Sequence, residues 1–330
     1  MAIGIFGTRH LPVREAIWLE PGQRVVLDAE GVSWNEVRLE TLEALYVHGF
    51  RYEDPVLPPA DPACDWSLWQ VGAVIRQQSY SFLYSVLARL EQRGGPRLYN
   101  PLSTEVAAFD RLGQLDRLAR AGFAVPPLLL GNDGDTVADF QKQQAGQEQQ
   151  AGGVVWRPAT GRAAWQWFQD RQRRHLVGPD KPPVLLAAVT PGRLLRVYVL
   201  DGQVALVLAT SPPSREGVER LEAMIPVTTL PPAVLATVAR AVTTLGLRWA
   251  VALVIDGPDG PVFYDVDPDP ELTGLPFPFE DHLNRCLAAA LAGETLPAAP
   301  FGTDPVERPS LLLRRMLAIQ FDMEQSKYAG

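Results

Sequence analysis

The sequence predicts a mixed protein, part α/β and part α+β, with about two domains. Short apolar runs bounded by turn residues alternate with longer stretches of helical periodicity. The dipeptide Asp201-Gly202 lies between two apolar runs, which is a strong signal for a tight β-hairpin. The chain has 330 residues, the length of about two domains.

The first hundred residues are predicted to form an α/β domain. Three β-like runs, at 16–19, 25–28 and 42–47, are separated by turn residues. A helical stripe then predicts a helix over 81–93, and it consists of Phe82, Leu83, Val86, Leu87 and Leu90. Gly94-Gly95-Pro96 ends that helix. The run 71–75 fits either a strand or the start of a helix.

The next segment is predicted to open with a helix from about Thr104 to Gly122, with a capping pattern in 103–105. A strand over 125–130 follows. Residues 140–153, rich in Gln and Gly, are typical of a helix end that leads into a loop. A strand at 154–156 would then deliver Arg157 to a cleft.

Three aromatic residues after this strand allow two interpretations. Trp165, Trp167 and Phe168 would either form a loop that folds over a ligand or belong to the core. A further strand is predicted over 184–189.

The third segment is predicted to contain the hairpin strands 194–201 and 204–209 and the helices 231–245 and 281–291. The first hairpin strand carries Arg196.

An acidic stretch ends a predicted strand in this third segment. The apolar run 250–255 leads through a Gly-Pro-Asp-Gly turn into a second strand that contains Asp265 and Asp267. Because a strand points every second side chain the same way, these two carboxylates share a face. Such a pair can hold a hard cation such as Mg²⁺. The alternative is an acidic turn with no ligand.

The C-terminal tail, 301–330, has a dense apolar segment over 310–323. A terminal helix of this composition has to bury its apolar side. It would pack on its own chain or form a homodimer contact.

Composition argues against several partners and locations. A net charge of −8 argues against a nucleic-acid partner, which leaves a basic footprint. The N-terminal apolar run is too short for a signal peptide, and no run approaches the ~18 apolar residues of a membrane-spanning helix. We therefore expect a cytoplasmic protein with no membrane partner. Cys64 and Cys286 are expected to be free thiols.

Several other chemistries have no matching pattern. The four histidines lack metal-ligand spacing. The chain contains no Gly-x-Ser-x-Gly elbow, no Walker-type phosphate loop and no Gly-x-Gly-x-x-Gly fingerprint.

Four stretches, in this order and spacing, resemble ATP-grasp proteins of the kind that includes RimK-like glutamate ligases and graspetide synthetases. They lie at 99–126, 153–161, 191–202 and 263–270. The resemblance covers roughly 95–295, and parts of 44–101 are also similar. It implies two α+β subdomains around a nucleotide cleft, at 101–190 and 191–300. A pre-ATP-grasp domain at 1–100 would precede them, and the tail helix would follow at 301–330.

The resemblance also implies ATP and Mg²⁺ as cofactors and a set of binding residues. Arg111 and Arg157 stand where such ligases hold the nucleotide phosphates with two lysines. Ala188 and Val189 lie at the adenine hinge, which backbone groups would read. Asp265 and Asp267 would bind the metal, while Leu253 stands where the family has a further metal-binding Asp.

Two more arginines are candidates for catalysis. On the resemblance, Arg196 would face the phosphates or an acyl intermediate; the alternative is an ion pair with a nearby carboxylate. Arg215 would contact an anionic substrate or phosphate, or else be an ordinary surface-loop arginine.

Two functions follow from this set. The first is an ATP-dependent ligase that activates a small-molecule or peptide carboxylate and transfers it to an amine or hydroxyl. The second is a degenerate, non-catalytic ATP-grasp scaffold that binds a peptide or protein partner.

Overall fold

The computed structural model describes residues 3–6, 16–19, 24–47, 66–145, 153–159, 165–210, 223–272, 275–302 and 306–307. Arg215, Cys64, the segment 160–164 and the predicted tail helix lie outside these residues. Within them, the chain forms four sheets and their covering helices.

The N-terminal unit is an α/β layer, as predicted. Its elements are β1 (Ile3–Phe6), β2 (Ala16–Leu19), β3 (Val25–Leu27), β4 (Val32–Trp34), β5 (Val37–Arg38), β6 (Ala44–Val47), α1 (Trp66–Arg93) and β7 (Arg97–Tyr99). A parallel sheet has the order β2-β1-β6-β7, and α1 forms the crossover between β6 and β7. Strands β3 to β5 make a small antiparallel sheet. Leu45, Val86 and Leu90 pack in the core between them.

Helix α1 begins at Trp66, fifteen residues before the predicted start at 81. The ambiguous run 71–75 is helical. Val71 and Val74, two of the described side chains in this half of the helix, are 57% and 56% exposed. The C-terminus is as predicted, because Gly94 has φ +67 and ends the helix in the left-handed region. No helix in the described part of the chain is both long and apolar enough to span a lipid bilayer.

The helix predicted over 104–122 is in fact two helices, α2 (Leu102–Phe109) and α3 (Arg111–Arg120). Asp110 separates them and caps α3, because its carboxylate accepts a hydrogen bond from the Gly113 N–H at 3.0 Å. The predicted capping pattern at 103–105 is wrong. Ser103 lies inside α2, and its N–H donates to Glu91 at 3.0 Å.

The second sheet is antiparallel, with the order β10-β9-β11-β8. The elements of this unit are β8 (Leu128–Gly131), α4 (Gly134–Ala145), β9 (Val154–Pro158), β10 (Gln166–Trp167), α5 (Asp170–Leu176) and β11 (Val184–Ala188). Strand β8 starts three residues later than predicted, after Pro126 and Pro127, which have no N–H to donate to a sheet.

The third sheet is antiparallel, with the order β16-β15-β12-β13-β14-β17. Its elements are β12 (Arg193–Leu200), β13 (Gln203–Ala209), β14 (Ala223–Pro226), α6 (Pro232–Thr244), β15 (Trp249–Gly257), β16 (Gly260–Asp267), α7 (Phe277–Ala292) and β17 (Val306–Glu307). Helix α6 covers the face that carries Val197, and α7 packs against the face that carries Leu200. The predicted hairpin is confirmed, since Asp201 and Gly202 have φ values of +46 and +73.

A bulge in β16 decides which way its acidic residues point. Val254 pairs with Phe263 and Leu253 with Asp265, so Tyr264 is the extra residue. Phe263 therefore lies in the core under α6, whereas Asp265 lies on the opposite face. Asp267 pairs with Val251 and shares the face of Asp265, as the alternation predicted.

Asn100 joins the N-terminal unit to the third sheet. Its side-chain N–H groups donate to the carbonyls of Trp249 and Pro268 at 2.7 and 2.5 Å. Its carbonyl oxygen accepts from the N–H groups of Arg248 and Trp249, both at 2.8 Å. All four hydrogen-bonding positions of this buried amide are used, which fixes the end of β16 against β7.

Candidate functional site

Two arginines from different elements bind the same carboxylate. Arg111 Nη1 lies 2.9 Å from Asp265 Oδ1, and Arg157 Nη1 lies 2.7 Å from Asp265 Oδ2. Both guanidinium side chains are only 2% exposed, and that of Asp265 is 15% exposed. The structure thus brings together two predicted phosphate ligands and a predicted metal ligand. They form direct ion pairs with each other.

Arg111 is the first residue of α3 and is held at several points. Its Nη1 donates to the carbonyls of Val266 and Ala108 at 2.7 and 3.3 Å, in addition to its ion pair with Asp265. Its Nη2 lies 3.9 Å from Asp267. The cap at Asp110 fixes where α3 begins, so the guanidinium is positioned by backbone geometry as well as by charge.

Gln114, which the sequence analysis missed, lies beside Arg111 and is fully buried. Its side chain donates to the Val266 carbonyl at 2.6 Å and accepts from the Val266 N–H at 2.9 Å. Strand β16 is the outer strand of its sheet, and Gln114 supplies the hydrogen bonds that a neighbouring strand would make. The available signal was a polar residue among the apolar positions of α3, one turn after Arg111.

Arg157 is held on its other side by an aromatic residue. Its guanidinium carbon lies 5.6 Å from the ring centroid of Trp165, a cation–π contact. Trp165 in turn meets Tyr264 edge to face at 5.9 Å. Trp165 and Phe168 are both buried, which agrees with the core interpretation, and Trp167 is partly exposed.

Tyr264, the bulge residue, ties the predicted adenine hinge to the acidic strand. Its hydroxyl donates to the Ala188 carbonyl at 2.6 Å and accepts from the Thr190 N–H at 2.8 Å. Burial raises the pKa of this phenol, so the hydroxyl keeps its proton for the first bond.

The backbone amides of the hinge are already used within the protein. The N–H of Ala188 donates to Pro127 at 3.0 Å, and that of Val189 donates to Gly153 at 2.9 Å. A carbonyl oxygen has two lone pairs, so the hinge carbonyls keep the capacity to accept another hydrogen bond. The adenine contacts of Ala188 and Val189 stay a prediction.

The charge state of Asp265 is set by a competition between two effects. Burial would raise the pKa of its carboxyl, but the nearby cations Arg111 and Arg157 outweigh burial and hold the pKa below its usual value. Asp265 is therefore an anion at neutral pH. Its charge is balanced inside the protein, where water screens poorly.

Arg196 lies on the same face of the third sheet. It pairs with Leu253 on β15, and Leu253 pairs with Asp265 on β16. Arg196 is partly exposed and forms no ion pair or hydrogen bond with any described residue, so the predicted ion pair is not found there. The apolar side chain of Leu253 therefore lies between Arg196 on β12 and Asp265 on β16.

The donor set is compatible with Mg²⁺ and phosphate. Asp265 and Asp267 supply two carboxylates, and Mg²⁺ commonly uses one or two together with substrate phosphates. Within the described ranges, no group of three or more His, Cys, Asp or Glu residues could hold a metal on its own. Arg111 and Arg157 are suited to phosphate oxygens, since a guanidinium can grip them in a bidentate way. The residues fit the pair of ligands.

Two of the sheets meet at this site. Arg157 comes from the second sheet and Asp265 from the third, so their ion pair connects the two sheets. The chain has the same fold as several solved ATP-grasp ligases. The ligase PsnB complexed with a minimal precursor matches with a TM-score of 0.67 and 18% identity, over 88% of this chain and 98% of that one.

Two further solved structures have this fold. The macrocyclase MdnC from Microcystis aeruginosa MRC, bound to its precursor peptide MdnA, matches with a TM-score of 0.65 and 15% identity, over 89% of this chain and 99% of that one. A RiPP-associated ATP-grasp ligase from Chryseobacterium gregarium has been solved in complex with ADP and a leader and core peptide. It matches with a TM-score of 0.62 and 15% identity, over 92% of this chain and 99% of that one. No protein-family model matches the chain, and no curated protein matches it in sequence. The predicted ATP-grasp fold is confirmed.

Proposed function

We propose that this chain is an ATP-dependent ligase that activates a carboxylate on a peptide and transfers it to an amine or hydroxyl. The proposal is supported by the fold it shares with PsnB and MdnC, two proteins that have been solved with precursor peptides. PsnB has also been solved with Mg and ADP.

The observation that carries the proposal is the meeting of Arg111 and Arg157 at Asp265, with Asp267 on the same face. When bound, Mg-ATP supplies the phosphoryl group that activates the substrate carboxylate, and Mg²⁺ offsets the charge that develops. The two guanidiniums would bind phosphate oxygens, and the two carboxylates would hold the cation.

The remaining roles follow from the position of each side chain. Arg196, partly exposed and on the site face, would bind the anionic end of the substrate or a phosphate. Arg215 keeps its predicted role on sequence grounds alone. No protein nucleophile is required, because positioning and electrostatic stabilisation account for catalysis in phosphoryl transfer.

The proposed substrate is an acidic side chain or terminus of a peptide, and the proposed location is the cytoplasm. A homodimer through the tail helix stays a prediction, because that segment lies outside the described residues. The choice between ester and amide products depends on whether the acceptor is a hydroxyl or an amine.

The proposal is tested by equilibrium binding of a fluorescent ADP analogue in the presence of Mg²⁺. Arg157→Met should weaken binding by about tenfold or more, since a charge-assisted hydrogen bond to phosphate contributes roughly 1.5–3 kcal/mol. The matched control is Arg193→Met. Arg193 lies at the exposed start of β12, 3.3 Å from Asp256, and its loss should leave the affinity unchanged. Equal affinity in wild type and Arg157→Met would contradict the assigned phosphate site.

Absence of nucleotide binding in all three proteins would favour the non-catalytic scaffold. In that case the cluster of Arg111, Arg157, Asp265 and Asp267 would be a structural ion-pair network that joins the two sheets.

A further inference from the structure

In the segment 188–190, which the structure describes throughout, every backbone N–H already donates a hydrogen bond. Those of Ala188 and Val189 donate to backbone carbonyls at 3.0 and 2.9 Å. That of Thr190 donates to the Tyr264 hydroxyl at 2.8 Å. An N–H makes one such bond, whereas a carbonyl oxygen has two lone pairs. A ligand that needs a backbone N–H from this segment therefore has to displace a protein partner.

The Tyr264 hydroxyl takes a backbone acceptor and a backbone donor at once. It donates to the Ala188 carbonyl at 2.6 Å while it accepts from the Thr190 N–H, and it also lies 3.0 Å from Thr190 Oγ1. Adenine presents an amino donor beside a ring-nitrogen acceptor, which is the complement of a carbonyl beside an N–H. The phenol thus makes the two hydrogen bonds that the edge of an adenine would make.

The ring of Tyr264 is held firmly in this position. The residue is only 6% exposed and packs with Leu185 and Ile255 in an apolar cluster. Its ring meets that of Trp165 edge to face at 5.9 Å. A base that displaced the phenol would form two hydrogen bonds in exchange for two, but the buried hydroxyl would lose its partners, which is costly.

Tyr264 is also next to the proposed phosphate site. It precedes Asp265, which Arg157 contacts at 2.7 Å, and the Arg157 guanidinium lies 5.6 Å from the ring centroid of Trp165. A nucleotide with its phosphates at Arg157 would therefore have its base close to the segment 188–190.

We propose that Tyr264 determines base selectivity in this chain, because its phenol takes the hinge contacts of an adenine and leaves the edge of the base unread. The inference rests on the proposed function, since it concerns the same nucleotide. Affinity then comes from the phosphates and from apolar contact with the base. Purine nucleotides that differ in the edge of the base should bind alike.

The test is isothermal titration with ADP and with inosine diphosphate, both in Mg²⁺. Inosine has a carbonyl acceptor in place of the amino donor of adenosine, and the sugar and phosphates are unchanged. For wild type we expect the two Kd values to agree within about threefold. Tyr264→Leu removes the hydroxyl and the far end of the ring, so the Ala188 carbonyl and the Thr190 N–H can pair with adenine. This variant should prefer ADP by about tenfold or more.

The matched control is Tyr84→Leu. Tyr84 lies on α1 in the N-terminal unit and is 38% exposed, so the same chemical change there should leave both affinities as in wild type.

A second variant covers the case in which Tyr264→Leu folds poorly. Tyr264→Phe keeps the packing of the ring and removes only the hydroxyl that holds it at the hinge. The ring can then leave the hinge at a smaller cost, and the preference for ADP should rise in the same direction by a smaller factor.

The outcomes separate this inference from the proposed function. If wild type prefers ADP by tenfold or more, or if neither variant gains a preference for ADP, the role of Tyr264 is wrong and the nucleotide site stands. If neither nucleotide binds to any of the proteins, both the role of Tyr264 and the proposed function are wrong.

Discussion

At the scale of single residues, the candidate site depends on the chemistry of Arg111, Arg157 and Asp265. An arginine keeps the positive charge of a lysine but presents it as a rigid fork, which can hold a carboxylate and a phosphate equally well. In the structure one nitrogen of each fork, Nη1, contacts Asp265, whose own position on β16 is set by the bulge at Tyr264. Under the proposed function, these three side chains would stabilise the fold and also bind the nucleotide and its metal.

Removing the charge of Asp265 should destabilise the fold. Asp265→Asn leaves two buried guanidiniums short of an anion, and we expect a loss of about 3–5 kcal/mol in the free energy of unfolding at pH 7. Urea denaturation measures this loss. The control Asp256→Asn disrupts a partly exposed pair and should cost at most about 1 kcal/mol. Equal small losses in both variants would contradict a tightly coupled cluster.

The stability contribution of Asp265 should depend on pH in one direction. Because its pKa is lowered in the folded state, the contribution is complete above the pKa of the unfolded chain, at about 4. It is lost as the pH falls toward the folded-state pKa. The difference in unfolding free energy between wild type and Asp265→Asn should be constant from about pH 6 to 8 and shrink below about pH 4. A difference that grew in acid would mean that the carboxyl is not held as an anion.

At this scale the sequence could predict the face that Asp265 and Asp267 share, because alternation along a strand is local. It could not predict their partners. Arg157 and Asp265 are 108 residues apart, and only the packing of one sheet against the other makes them meet. Gln114 was missed for the same reason, because its role depends on β16 being an edge strand.

Strand β16 and helix α3 are the elements that build the site. The bulge in β16 sends Phe263 into the core and Asp265 to the cleft, and Gln114 of α3 completes the hydrogen bonding of Val266 between the two acids. Neither the bulge nor the break at Asp110 has a strong local signature. Asp110 is a favourable N-cap, yet the residues on both sides of it also suit a continuous helix.

Gln114→Ala should destabilise the protein by about 1–3 kcal/mol, because the buried N–H of Val266 loses its acceptor, while the Val266 carbonyl loses one donor and keeps Arg111. Gln143→Ala is the control, since Gln143 is an exposed glutamine on α4 and its loss should change stability by less than about 0.5 kcal/mol. The comparison is made by chemical denaturation. Similar values for the two variants would show that Val266 finds another partner.

Tyr264→Phe should loosen the segment between β11 and β12. The Thr190 N–H loses its acceptor and the Ala188 carbonyl loses a donor, and we expect a cost of about 1–3 kcal/mol. Native-state hydrogen exchange at the Thr190 amide reports this directly and should become faster in the variant. Unchanged protection of that amide would contradict the role given to the Tyr264 hydroxyl.

At the scale of the whole molecule, Asn100 connects the N-terminal unit to the third sheet, and the Arg157–Asp265 ion pair connects the third sheet to the second. Alternating strands and helices predicted the mixed fold class, and the Asp201-Gly202 turn sets the register between β12 and β13. The early start of α1 was not predicted, because the run 71–75 fits a strand as well as a helix and its described apolar residues Val71 and Val74 are exposed. The long-range contacts of Asn100 could not be predicted either, because its four hydrogen bonds are to residues far along the chain and have no local sequence signal.

Asn100→Ala should weaken the joint between the N-terminal unit and the third sheet. The variant leaves the buried backbone groups of Trp249, Arg248 and Pro268 without a partner, and we expect a loss of at least about 2 kcal/mol. Thermal and urea unfolding both measure it. A loss under about 0.5 kcal/mol would mean that the joint does not hold the two units together.

The proposed function requires that a site with arginines, where the ligases it resembles have lysines, binds a nucleotide. Thermal unfolding of wild type and Arg157→Met over a concentration series of Mg-ATP tests it most directly. Ligand at about 100 times its Kd adds roughly 2.7 kcal/mol, which is a rise of several degrees for domains of this size. We predict a saturable rise that requires Mg²⁺ in wild type and a much smaller one in Arg157→Met. No rise at millimolar Mg-ATP, or the same rise in both proteins, would contradict the claim.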